Sequence, residues 1–345
     1  MEALHERVLD LIQSGFPLES DPYGVIAAQL GATRDDVLDA VAALRASGSI
    51  RRLGASFASK KLGYSSTLCA LAVPGDPQEV DRVAEIVNAV PNVTHNYLRT
   101  NRYNLWFTII ARGPEEVARI LSSIEKDAGC SDALNLPATA LYKIKVDFGE
   151  MKRRSRQSGA VSERRESPEA TAPASPFDAD DPFDVALVRW AQEDIAGAGE
   201  SVDPNPFTTA AALIAAETGD DTIDEQHVIV RLQELKRGKV IRRFGALVAH
   251  RKMGYAFNGM TVWDVPADKS DEVGKAFAAQ PFVSHCYARP RSETWPFNLY
   301  AMVHAMTQEE LDERVATLEA ASGMQAQVLV STREYKKTSM RYFTE

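Results

Sequence analysis

The sequence predicts an α+β chain in which one two-part unit, a helical segment with a short strand and then a βαββαβ domain, is written twice. Three observations predict it. First, "SIRRLGASFASKKLGYSSTLCALAVP" (Ser49–Pro74) lies over "VIRRFGALVAHRKMGYAFNGMTVWDVP" (Val240–Pro266). Second, the frame His-x-Tyr-x-Arg followed by aromatic-Asn-Leu occurs at His95, Tyr97, Arg99 and again at His285, Tyr287, Arg289. Arg51 and Arg242 stand 191 positions apart, His95 and His285 190, the near-constant offset of a duplicated domain pair. Third, the apolar period switches between about 3.6 and 2 on the same schedule in both halves.

In the first copy "ALHERVLDLIQSG", "PYGVIAAQLGAT" and "RDDVLDAVAALRASG" carry apolar residues at spacings of three and four, with Gly or Thr/Asp at the breaks, and predict helices. "SIRRLGASFAS" and "KKLGYS" then predict a short wing, completing a winged helix-turn-helix. "STLCALAVP", "DPQEVDRVAEIVNAV", "VTHNYLR", "YNLWFTIIA", "GPEEVARILSSIEKDAG" and "ALNLPATALYKIK" follow in the order β-α-β-β-α-β, the ferredoxin-like split motif. The second copy repeats this from "DVALVRWAQEDI" to "AQVLVSTREYKK". The expected boundaries are a winged helix-turn-helix at 1–62, a ferredoxin-like domain at 63–150, a linker at 151–181, and the second pair at 182–253 and 254–345. The linker is rich in Ser, Pro, Ala and charge and poor in large apolar residues, so it reads as a tether holding the copies at high effective concentration.

The totals exclude several classes. At 345 residues the chain is long for one core. No apolar run approaches the roughly 20 residues that span a bilayer, and "MEALHERVLDLIQ", with helical spacing and acidic residues, is not expected to act as a secretory signal. Cys69, Cys130 and Cys286 lack CxxC spacing, which fits a reducing, cytoplasmic setting and no zinc site. With a net charge of -9, an anion binds only through a local basic pocket.

Candidate chemistry sits on the repeated frames. Alternate residues of a strand share a face, so His95, Tyr97 and Arg99 point one way, as do His285, Tyr287 and Arg289. One polar triplet on a half-exposed strand is ordinary; two copies, each with an arginine pair at the wing, favour function. Arg51, Arg52, Arg242 and Arg243 precede Gly-Ala steps that let backbone approach a ligand or partner, and an arginine fork matches a carboxylate. Solvated surface is the alternative. Tyr64 and Tyr255 fit core rings as well as a site, and His304, on an apolar strand, reads as a core histidine. His5, His227 and His250 receive no role.

A winged helix joined to a ferredoxin-like domain resembles the Lrp/AsnC family of transcription regulators, over nearly all of both copies. DNA binding would then be expected. The helices that would enter the groove begin instead with Asp35, Asp36 and Asp39, and with Asp220, Asp221, Asp224 and Glu225, like charges toward phosphate. No sequence-specific DNA partner is expected.

The copies differ at the hairpin: "RTNRYNLWF" in the first, the longer "RPRSETWPFNLYAMVH", with Trp295 and Pro296, in the second. This pair resembles the A-type and B-type subunits of the siroheme decarboxylase family, fused in one chain. The resemblance implies removal of two acetate carboxyls of siroheme to give 12,18-didecarboxysiroheme, on the alternative route to haem or the route to haem d1. The residues present suit that substrate: His95 or His285, with Tyr97 or Tyr287, is expected to act at the reacting acetate, and Arg51, Arg52, Arg99, Arg242, Arg243, Arg289 and Trp295 to bind the substrate. The longer hairpin would close over the macrocycle, making the second copy the dominant site. No cofactor or protein metal is expected, since the substrate carries iron, which His95 or His285 could ligate. The partners expected are siroheme and the two halves for each other, with room for a further homo-oligomer and none for a membrane. A tetrapyrrole- or haem-responsive regulator, or a non-catalytic metabolite binder of the same fold, remains the alternative.

Overall fold

The computed structural model describes residues 2–144, 176–197, 201–248 and 257–344. The chain forms two compact units, one of Met1–Tyr64, Ala172–Arg251 and Arg341–Glu345, the other of Ser65–Thr171 and Lys252–Met340. The division gathers like with like: both helical segments build the first unit, both ferredoxin-like segments the second.

In the first unit α1 (Glu2–Ser14), α2 (Pro22–Leu30) and α3 (Arg34–Ala46) lead into β1 (Ile50–Phe57), and α6 (Pro182–Ala191), α7 (Pro206–Thr218) and α8 (Glu225–Arg237) lead into β7 (Ile241–Val248). Two of the acids that oppose phosphate serve the helices they begin. Asp36 closes a capping box with Thr33 at the start of α3, and Asp224 closes one with His227 at α8. The wing is not a hairpin within each copy. β1 pairs antiparallel with β7, so the two wings complete one another. The glycines of "RRLGA" and "RRFGA" explain the fit: a Cβ on Gly54 would lie 2.7 Å from the Ala191 carbonyl oxygen, and one on Gly245 would collide with that of Ile12. The close approach expected of those glycines is therefore to the first helix of the opposite copy. Of the segment expected as a tether, residues 151–175 lie outside the described residues, and its end is packed: Phe177 is buried beside Phe343, and the Asp178 amide donates to Asp184. Tyr64 is a core ring, its hydroxyl accepting from the Phe343 amide.

The second unit is a nine-stranded sheet in the order β5-β2-β4-β3-β11-β8-β10-β9-β6. The first copy supplies β2 (Ser65–Leu71), α4 (Pro77–Ala89), β3 (Val93–Arg99), β4 (Leu105–Ala111), α5 (Gly113–Ala128), β5 (Ala133–Pro137) and β6 (Ala140–Ile144). The second supplies β8 (Phe257–Trp263), α9 (Ser270–Ala279), β9 (Val283–Ala288), β10 (Leu299–Ala305), α10 (Gln308–Ser322) and β11 (Gln327–Lys337). Each copy lends its last strand to the other. β11 pairs with β8 through its first half and with β3 through its second, while β6 pairs with β9. Pro137, which has no N–H to give a ladder, ends β5 where β11 runs on. The two edge strands β5 and β6 are joined by Ala138 and Thr139 alone, so the sheet comes round on itself.

Parity along the strands sorts three cores. Leu105, Phe107 and Ile109 face α4 and α5; Leu299, Ala301 and Val303 face α9 and α10. The intervening Trp106 and Tyr300 meet in a third cluster with Tyr103, Trp295 and Leu329, drawn from both copies. The exchange is locked by tyrosines: Tyr335 of β11 packs into the first copy's core and donates to Asp81, and Tyr142 of β6 packs into the second's, where Gly274 leaves room for its ring. The duplicated α+β architecture is thus as expected; the cross-copy pairing is the addition.

Candidate functional site

β3 carries His95, Tyr97 and Arg99, β9 carries His285 and Tyr287 with Arg289 directly after it, and each strand has a bulge at the histidine. Register slips between Val93 and His95 against β4, and the pairing of β10 with β9 slips between Met302 and Val303, opposite His285. A bulge adds a residue and re-aims the side chains around it. Here it lets Thr94 and Ser284 sit beside the rings that follow them: the Thr94 hydroxyl lies 3.0 Å from His95 Nδ1, and that of Ser284 2.9 Å from His285 Nδ1.

The rest of each series is matched. His95 stacks on Tyr97 with centroids 6.3 Å apart, and His285 on Tyr287 at the same separation. Arg99 stands 5.3 Å from the Tyr97 ring and Arg289 5.1 Å from that of Tyr287, each a cation over an aromatic face. Arg99 Nη1 donates to the Leu329 carbonyl at 3.2 Å, and Arg289 donates to that of Leu136, so each guanidinium holds the opposite copy's strand. Neither has a carboxylate partner among the described residues, and the Nε of each is buried without an acceptor. Burial lowers the Arg99 pKa to about 10 and also lowers that of Arg289. A desolvated cation with no anion is expensive.

Electrostatics joins the copies. His285 is held below the usual histidine range by burial, then by the neighbouring His95 and Lys143, each of which disfavours a further proton; His95 is lowered by burial and by Lys337, against Glu334. Both imidazoles are therefore neutral at pH 7. The surroundings then diverge. Opposite Tyr97 on β11 stands Glu334, and burial and that acid raise the Tyr97 pKa; opposite Tyr287 on β6 stands Leu141, which is 39% exposed. In the second copy Ser284 Oγ also lies 2.6 Å from Nε2 of His304, where the first copy has Ile110.

Several expectations change. Trp295 is not an open lid: it is 3% exposed, edge-on to Tyr103 and Phe297 and tilted against Trp106, with its indole N–H on the Tyr300 hydroxyl at 2.7 Å. The insertion folds inward because its apolar ring finds the aromatic cluster between the copies. His304 is a satisfied, half-buried histidine of β10, as expected, and one partner is Ser284. Arg51 and Arg242 stand exposed on the wing strands of the first unit. Arg52 and Arg243 are half-buried there; Arg52 donates to the Ala55 carbonyl at 3.0 Å, and its pKa is lowered chiefly by burial, with Glu193 and Asp194 opposing. His250, Arg251, Lys252 and Tyr255 lie outside the described residues. Thr94, Ser284 and His304 join the site without having been expected there. A hydroxyl residue before the histidine in both copies, and the parity of Tyr300, Met302 and His304, are the sequence signals for them.

Residues 5–51 match the siroheme decarboxylase NirDL-like HTH domain, and 61–143 with 252–336 match the AsnC-like ligand binding domain. A siroheme decarboxylase of Hydrogenobacter thermophilus is 33% identical across 99% of this chain and 95% of its own length. The siroheme decarboxylase alpha subunit of Desulfovibrio desulfuricans is 50% identical over 43% of this chain and 84% of the subunit. Among solved structures, the siroheme decarboxylase NirDL in complex with an iron-uroporphyrin III analogue aligns with a TM-score of 0.72 at 28% identity, covering 99% of this chain and 94% of that one. Among the described residues no helix is long and apolar enough to cross a membrane.

Proposed function

The chain belongs to the siroheme decarboxylase family, and from that membership we propose how its own residues carry out the reaction. The protein is a carboxy-lyase that removes two acetate carboxyl groups of siroheme, giving 12,18-didecarboxysiroheme for haem or haem d1 synthesis in the cytoplasm. One observation carries the reading: Arg99 and Arg289, buried and without a carboxylate partner among the described residues, each lie over a tyrosine stacked on a histidine. Substrate carboxylates would supply the missing anions, and the exposed Leu141 beside Tyr287 suits the apolar face of a macrocycle.

In each decarboxylation the bond between the methylene carbon and the carboxyl carbon breaks. Its electron pair stays on the methylene carbon, delocalised into the macrocycle, carbon dioxide leaves, and one proton is added to give a methyl group. The macrocycle thus takes up the electron pair that a separate electron-sink cofactor would otherwise hold. Arginine fixes the carboxylates, tyrosine orients the reacting one, and His95 or His285 delivers the proton or takes the substrate's iron. Arg51, Arg52, Arg242 and Arg243 are retained from the sequence as further carboxylate anchors, each tested separately by alanine. Anaerobic incubation with siroheme, followed by mass, decides the matter. Loss of two carbon dioxide units supports the enzyme; unchanged siroheme with a shifted spectrum supports the haem-responsive regulator instead.

A further inference from the structure

We propose that His304, acting through Ser284, orients and replenishes the proton that His285 delivers, so the second copy carries a proton relay and the first does not. The geometry is a continuous chain: His304 Nε2 to Ser284 Oγ at 2.6 Å, and Ser284 Oγ to His285 Nδ1 at 2.9 Å. A serine hydroxyl has one proton, so it donates to one ring only and accepts from the other. When His304 donates from Nε2, Ser284 must donate to Nδ1 of His285, which leaves the remaining proton of His285 on Nε2, the atom not engaged by Ser284. The first copy repeats the hydroxyl and the first histidine, at 3.0 Å, but has Ile110 where a second histidine would stand.

The inference rests on the decarboxylase reading for the identity of the acceptor carbon. As His285 Nε2–H passes its proton to that carbon, the Ser284 hydroxyl proton moves to His285 Nδ1, the His304 Nε2 proton moves to Ser284 Oγ, and His304 Nδ1 takes up a proton from water, so no ring is left anionic. One proton has entered at His304 and one has left at His285, with no oxidant or reductant involved. The groups facing this chain are His95 and Lys143 toward His285, and Lys337 of β11 and Arg314 of α10 toward His304. Arg314 donates to the His304 carbonyl and pairs with Glu310. Burial, then the neighbouring His285, Lys337 and Arg314, lower the His304 pKa to about 4, so the ring is neutral at neutral pH and relays a proton only by accepting one at Nδ1 as it gives one from Nε2. His304 is a positioning residue in this account, since it touches no substrate atom.

The experiment replaces His304 with Ile, the first copy's residue, and with Gln, which can hold the hydrogen bond and cannot carry a proton through. Siroheme binding is read by absorbance, and the two decarboxylations by single-turnover mass analysis across pH in light and heavy water. His304→Ile should bind siroheme as the parent does, slow one of the two decarboxylations at least about tenfold, and abolish the solvent isotope effect on that step. His304→Gln should keep the tautomer of His285, read by ¹⁵N NMR, while remaining slow. Parental rates and isotope effect in His304→Ile would overturn the relay. If that variant fails to fold, Ser284→Ala is held to the same criteria. If the parent protein does not decarboxylate siroheme, the functional reading falls, and the NMR arm still decides the relay: an unmoved His285 tautomer in His304→Ile overturns it.

Discussion

The β3 site and the β9 site start from the same kit and end in different surroundings. Both have a bulge, a hydroxyl on Nδ1 of the histidine, a stacked tyrosine, and a buried arginine that clasps the opposite copy's strand. Around the first stand Glu334 and Lys337; around the second stand Leu141 and His304. The two copies share what holds the strands together and differ in the charged and titratable groups around it. Asymmetry of this kind suits a substrate that must lose two carboxyl groups, since the two sites need not play the same part.

The comparison can be broken in order of expected size. The largest effect is on turnover: His285→Ala should slow decarboxylation about 10²–10⁴-fold, the range of a general acid, and His95→Ala much less. Equal losses in anaerobic turnover assays would erase the difference between the copies. Next comes binding. Arg99→Ala and Arg289→Ala should each weaken siroheme about ten- to a hundredfold, from a charge-assisted contact of roughly 1.5–3 kcal/mol, measured by absorbance titration. Because each arginine also holds a strand, binding of the iron-free ligand and a thermal melt should be read together.

Smaller effects sharpen it further. His304 has a pKa of about 4 folded, against 6.5 for an unperturbed imidazole. Above pH 6.5 the group is neutral in both states and contributes nothing; as pH falls below 6.5 the unfolded chain takes the proton first, so stability drops toward pH 4. Denaturant titrations should show His304→Ile less acid-sensitive than the parent over that window. The smallest effect is Trp295→Phe, which removes the indole donor to Tyr300 while keeping most of the packing. It should cost about 1 kcal/mol in stability and little in siroheme affinity, whereas a lid role would show the reverse.

The doubled architecture was legible because helical and strand periods alternate in both halves and the Arg-Arg and His-x-Tyr-x-Arg frames keep their offset. The exchange of final strands was not. The alternation in "ALYKI" and "VSTREYKK" is satisfied equally by a strand's own sheet or its neighbour's, and only the three-dimensional fit of Tyr142 against Gly274 and Tyr335 against Asp81 discriminates. Tyr and His at alternate positions are visible in a string; the bulge that brings Ser284 between two imidazoles is not, because a bulge changes face without changing sequence. The place of Trp295 is hidden for a related reason. An aromatic residue in an insertion looks exposed until the cluster it fills is known.

The lending of β11 to β3 has a consequence for biosynthesis. Arg99 pairs with Ser331, 232 positions later in the chain. At roughly 5–20 residues per second, that partner leaves the ribosome on the order of 10–50 s after β3 does. Throughout that interval the nascent first half presents an unpaired β edge of the kind that invites aggregation. The fused chain therefore has a waiting period in its own synthesis, and released chains ending before residue 331 should bind chaperone more than the full-length chain does.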